Sequence, residues 1–160
     1  SAGGMFVHRL GCAMPERFAA IAPVGGTLVR GFNCAPHTST PLSMMNIYGS
    51  RDDYVALDGT MSSDGYFYTS AQDVMSKWAG SDSQGCAENL TRYPTSQDGA
   101  LDLACSQHAD CSTGAEVVNC TWDGAHDWPK DDTRDFGNEI IWEFFSKHTR
   151  AKYTNVGGGE

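Results

Sequence analysis

Three short strand candidates, the first two of them largely apolar runs and each stopped by turn-forming residues, constrain what this chain can fold into more than anything else in it. Phe18-Ala19-Ala20-Ile21-Ala22-Pro23-Val24 closes on Gly25-Gly26, and Leu42-Ser43-Met44-Met45-Asn46-Ile47-Tyr48 stops at Gly49-Ser50-Arg51-Asp52-Asp53. Residues 115–122, with Val117, Val118 and Thr121, give way to Asp123-Gly124-Ala125-His126-Asp127-Trp128-Pro129. A strand with one wet face alternates apolar and polar residues. Short continuous runs suit strands covered on both faces, as in a parallel sheet.

Helical spacing fills the gaps between the runs. Phe6, Val7 and Leu10 share one face of an opening helix that ends near Pro15. Phe67, Ala71, Val74, Met75 and Trp78 make a stripe over 65–78, and Phe136, Ile140, Ile141, Phe144 and Phe145 make another in a last helix capped by Thr133 or Asp132. Residues 25–40 read as loop and 80–113 as irregular structure stapled by disulfides. The tail 153–160, with three consecutive glycines, reads as disordered, which leaves 1–152 as one unit. Strands alternating with helices imply the α/β class, with parallel strands and flanking helices.

In open α/β sheets, functional groups collect beyond the carboxyl ends of the strands. Asp52 and His126 both stand there. Asp53 is the neighbouring alternative, but the spacing from Gly49 favours Asp52. His8, His37, His108 and His148 sit in sequence contexts of helix faces or loops, and Trp78, Trp122 and Trp142 in contexts of packing. Ester hydrolysis needs a nucleophile, a base to take its proton, and an acid to orient that base. Ser1, Asp52 and His126 supply the three in the chain order of α/β-hydrolases.

A formal net charge of -9 argues against nucleic acid or an anionic membrane as partner, because both reward clustered Lys and Arg. No apolar run reaches the length of a membrane span, and neither a metal nor an organic cofactor is implied. The six cysteines, at 12, 34, 86, 105, 111 and 120, contain no C-x-x-C pair, so disulfides explain them better than zinc. Six cysteines allow 15 pairings, and spacing does not choose among them. Asn89-Leu90-Thr91 and Asn119-Cys120-Thr121 are glycosylation sequons, which carry meaning in an oxidising, secretory setting. The chain therefore reads as secreted and extracellular.

Four blocks carry a more specific likeness: Ser1-Ala2-Gly3-Gly4-Met5, the stretch 17–26, Tyr48-Gly49-Ser50-Arg51-Asp52, and Gly124-Ala125-His126-Asp127-Trp128-Pro129. Together they resemble the polyhydroxybutyrate depolymerase and feruloyl esterase family of secreted α/β-hydrolases, over nearly the whole chain. The resemblance implies Ser1 as nucleophile, Asp52 as acid and His126 as base, with the Ala2 N–H as one oxyanion donor. It implies an acyl-enzyme mechanism on feruloyl or acetyl esters of polysaccharide, or on a polyester. Trp128 then either lines the ester pocket or packs in the core. The resemblance also pairs Cys12 with Cys34 and Cys86 with Cys111, leaving Cys105 and Cys120.

Tyr48 stands where the family has His, and Ala56 where it has Pro. The family's glycine two residues ahead of the serine, the strands before it and the second oxyanion donor have no counterpart in this sequence. The chain thus corresponds to the C-terminal part of such a domain. A second chain or self-association would then cover the open sheet edge, and the chain by itself would be a weak esterase, since one oxyanion donor is worth about a hundred- to a thousandfold in turnover. The alternative is a catalytically incomplete fragment or pseudoenzyme.

Overall fold

In the computed structural model, which describes residues 1–31 and 40–150, all three strand candidates contain strands, and these lie parallel to one another. Along the chain the elements are α1 (Ala2–Ala13), β1 (Ala20–Ile21), β2 (Ser43–Gly49), α2 (Ala71–Ala79), β3 (Leu90–Arg92), β4 (Ala104–His108), β5 (Val117–Trp122) and α3 (Phe136–Ser146). Short 3-10 turns occupy Pro15–Arg17 and Ala100–Asp102. The sheet order is β1-β2-β5-β4-β3. Helices flank the sheet, so the class is α/β.

Every residue of β2 is buried because both faces of the sheet are covered there. Successive side chains point to opposite faces. Met44 and Val117 enter one layer with Ile21, Leu42 and the α2 residues Val74, Met75 and Trp78. Met45 and Ile47, with Val118, Cys120 and Trp122, enter the opposite layer against Phe136, Ile140 and Phe144 of α3. Val7 and Cys12 of α1 pack on the α2 side. This two-sided covering is the physical cause of the continuous apolar runs.

The expectation of a purely parallel, three-stranded sheet is corrected. β5 pairs antiparallel with β4, and β4 with β3, in the registers Cys105↔Cys120 and Thr91↔Gln107. The stretch 80–113 is therefore not irregular throughout. Its strands escape the apolar signature because they are polar and largely wet: all three residues of β3 are exposed. Disulfides Cys86–Cys111 and Cys105–Cys120 tie this hairpin to itself and to β5. Closing the 15-residue separation of the second is worth about 3 kcal/mol in the chain-entropy account. Cys12 is also disulfide-bonded, whereas Cys34, its expected partner, lies outside the described residues, as does the tail 153–160.

The long apolar edge expected beside the first strand is also shortened. β1 has two residues, and Val24 adds an isolated parallel bridge to Ile47. Two helix boundaries shift as well. Helix α2 starts at Ala71 rather than 65, because Ser70 accepts the Asp73 N–H as a cap while Phe67 and Tyr68 are taken by bridges to Met61 and Val29. Helix α3 is capped by Asp135, which accepts from Asn138 N at 3.0 Å, not by Thr133 or Asp132.

Helix α1 rests on a buried polar layer. His8 is fully buried beside Asn46 of β2, and burial pushes its pKa down to about 4 from 6.5 against weaker opposing contacts with Asn46 and the Gly26 backbone. The folded protein thus holds His8 neutral where the unfolded chain would protonate it. Stability from this source is complete above pH 6.5 and is lost as pH falls toward about 4. At 1.36 kcal/mol per unit the whole loss is about 3 kcal/mol. Urea unfolding across that window should show this decline, and His8→Leu should flatten it; an equal slope in the variant would refute the assignment.

Candidate active site

The Asp52 carboxylate is positioned by a turn that β2 enters at Gly49. Asp52 Oδ1 accepts the backbone N–H groups of Tyr54 at 2.9 Å and Val55 at 2.8 Å, which locks the carboxylate and leaves Oδ2 for another partner. His126 Nδ1 lies 2.7 Å from that Oδ2. A carboxylate only accepts, so Nδ1 carries the proton and Nε2 is the ring's acceptor. The Asp52 side chain is 1% exposed and that of His126 is 23% exposed, so the pair is sheltered while the imidazole still reaches the surface. Tyr54 leans on the imidazole, with ring centroids 5.3 Å apart. Asp53, the alternative acid, is exposed.

Ser1 is brought to the same place by α1. It sits at the N-terminus of α1, where its carbonyl accepts the Met5 N–H. Glycines let that helix end approach the loop after β1: a Cβ on Gly26 would stand 2.5 Å from Ser1 O and 2.7 Å from Gly4 Cα. At Gly25, whose φ of +52° favours glycine, a Cβ would lie 3.8 Å from His126 Cε1 and 3.9 Å from Ser1 N. Ser1 and His126 are thereby brought together. They line two clefts in common, one of about 370 Å³ with Gly25, Val7 and Trp128, and one of about 180 Å³ with Ala2, Met5, Tyr54, Asp64 and Tyr68.

The Asp52–His126 contact is formed, but Ser1 Oγ makes no hydrogen bond with His126. In unliganded sites such contacts are commonly long and tighten with substrate. Ala2 opens α1, so its N–H belongs to the first turn, whose amides have no acceptor within the helix. Trp128 is half-buried: it lines the larger cleft and donates from Nε1 to Asp135 Oδ1 at 2.5 Å, pinning the cleft wall to the start of α3.

The other described histidines have partners elsewhere. His8 is on the buried face of α1, and His108 Nδ1 contacts Ala87 O. His148 stands between Ser43 and Glu116, a second serine-histidine-carboxylate set, but Ser43 is fully buried and its Oγ accepts the Glu116 N–H. No substrate can reach it. His37 lies outside the described residues.

Sequence reasoning missed Tyr54, Asp64 and Tyr68 of the smaller cleft, as well as the ion pair of Arg51 with Asp123. The cleft residues occupy turns without periodicity. The charges at 51 and 123 do carry a signal, since each lies just past a strand end. Of the sequon asparagines, Asn89 is exposed ahead of β3, while Asn119 lies half-buried inside β5 with its Oδ1 inaccessible. Among the described residues no group of three or more His, Cys, Asp or Glu could hold a metal ion, and no helix is long and apolar enough to cross a membrane. No protein-family model matches the chain, and no curated protein matches it.

Proposed function

We propose that this protein is a secreted serine carboxylic-ester hydrolase of the α/β-hydrolase type, working through an acyl-enzyme on Ser1. The observation that carries this reading is the buried Asp52 carboxylate, held by two backbone amides and bonded at 2.7 Å to a half-sheltered His126 that shares its clefts with Ser1. In the proposed reaction Nε2 of His126 takes the Ser1 hydroxyl proton as Oγ attacks the ester carbonyl. Asp52 stabilises the imidazolium that results. The Ala2 N–H, at the positive end of α1, donates to the developing oxyanion. His126 then protonates the leaving alcohol, and water attacks the acyl-enzyme by the same route in reverse.

Feruloyl or acetyl esters of polysaccharide, or a polyester such as polyhydroxybutyrate, are the substrates this reading favours, with Trp128 on the wall of the larger cleft. The two described disulfides fit an oxidising, extracellular setting. A second chain or a second copy pairing along β1 would complete the sheet. The missing Ser1–His126 hydrogen bond favours a second reading, a catalytically incomplete fragment or pseudoenzyme.

A fluorophosphonate probe separates the two, because it reacts only with an activated serine. The folded chain should be labelled on the peptide containing Ser1, and the urea-unfolded chain should not. Absence of label, or label on another serine, would reject the hydrolase reading.

A further inference from the structure

β2 and β5 are hydrogen-bonded neighbours with Gly49 opposite Trp122, so the loops that carry Asp52 and His126 leave the sheet side by side. Arg51 fastens one to the other. Its backbone N–H donates to Gly124 O at 2.8 Å, its Nε donates to Asp123 Oδ1 at 2.6 Å, and its Nη2 reaches Asp123 O at 3.3 Å. Ser50 N also donates to Trp122 O at 2.8 Å. Asp123 is itself anchored through its N–H to Leu101 O. Of these links only the Arg51–Asp123 contact is made by side chains on both partners. It lies one residue from Asp52 and three from His126.

We infer that Arg51 and Asp123 form a positioning clamp that sets the alignment of the Asp52–His126 pair, an inference that rests on the hydrolase reading. Both side chains are exposed, at 66% and 46%, and an exposed ion pair adds little to global stability. Its geometry nevertheless ties together two loops whose functional atoms must meet at 2.7 Å. A planar guanidinium that grips a carboxylate and a carbonyl at once restrains both distance and angle, which an ammonium cannot do equally well. Small misalignments at reacting groups cost large factors in rate. The pair therefore acts through the acid and base, and touches no substrate.

The test uses the full chain with Arg51→Met, Asp123→Asn, the double variant and Arg51→Lys. Four quantities are read: Tm, kcat and KM on p-nitrophenyl acetate, and the low-field proton resonance of His126 Nδ1–H. The first two variants should each lower kcat about tenfold with KM within about twofold. Tm should move by no more than about 2 °C. The resonance should broaden through faster exchange, the double variant should be no worse than either single one, and Arg51→Lys should fall between. Unchanged kcat with an unchanged resonance overturns the clamp, as does a fall in Tm large enough to explain the lost rate, or a wild-type chain that lacks the resonance. A wild-type chain that shows the resonance but hydrolyses no ester, with the signal lost in the variants, overturns the hydrolase reading and leaves the clamp standing.

Discussion

Replacing Ser1 by alanine is expected to lower turnover of p-nitrophenyl acetate by about four to six orders of magnitude, with little change in Tm. A nucleophile and its base act as one unit, so His126→Ala should cost about as much, and the double variant no more than either alone. Stability should be nearly untouched because Ser1 is exposed and its side chain caps no amide of α1. The rate that survives would come from the Ala2 N–H and the cleft walls, which can still bind a developing oxyanion. Esterase activity that persists undiminished in Ser1→Ala would remove the acyl-enzyme proposal altogether.

The parts of the fold that were legible in the sequence are those where burial left a period. β2, covered on both faces, announces itself as a largely apolar run, the Val117-Val118 pair marks β5, and the α3 stripe of Phe136, Ile140 and Phe144 maps directly onto the layer it packs against. The hairpin of β3 and β4 left no such mark, since exposed Leu90, Thr91 and Arg92 answer to backbone pairing and to the Cys105–Cys120 crosslink rather than to a core. The apolar stripe overstates the length of helix α2 for a related reason: Phe67 continues the stripe in sequence but is 46% exposed and paired to Met61. For the site, Asp52 and His126 were readable because strand ends are where chemistry gathers. What aligns them was not, since Gly25, Tyr54 and Arg51 act through backbone approach, ring contact and a cross-loop ion pair, none of which has a sequence period.

Asp52→Asn should reduce kcat about ten-thousandfold while leaving KM and Tm close to their original values, the size this change has in other serine hydrolases with such a triad. Asparagine is nearly the same shape, and its carbonyl oxygen can still accept the N–H groups of Tyr54 and Val55. Its amide nitrogen then faces His126 Nδ1 as a donor. To accept from it, the imidazole must carry its proton on Nε2 instead, the nitrogen that has to receive a proton from Ser1. The base is thus present, correctly placed, and in the wrong tautomer. Asp52→Ala separates geometry from chemistry: it removes the acceptor for two amides at a buried turn, and an unsatisfied buried donor costs about 1–3 kcal/mol, so this variant should lose stability as well as rate. Asp53→Asn serves as the neighbouring control, because Asp53 is exposed and should tolerate the change on both counts. Kinetics and thermal unfolding of the three variants side by side decide the matter. If Asp52→Asn keeps its rate, or if Asp53→Asn is the one that loses it, then Asp52 is not the acid that orients His126.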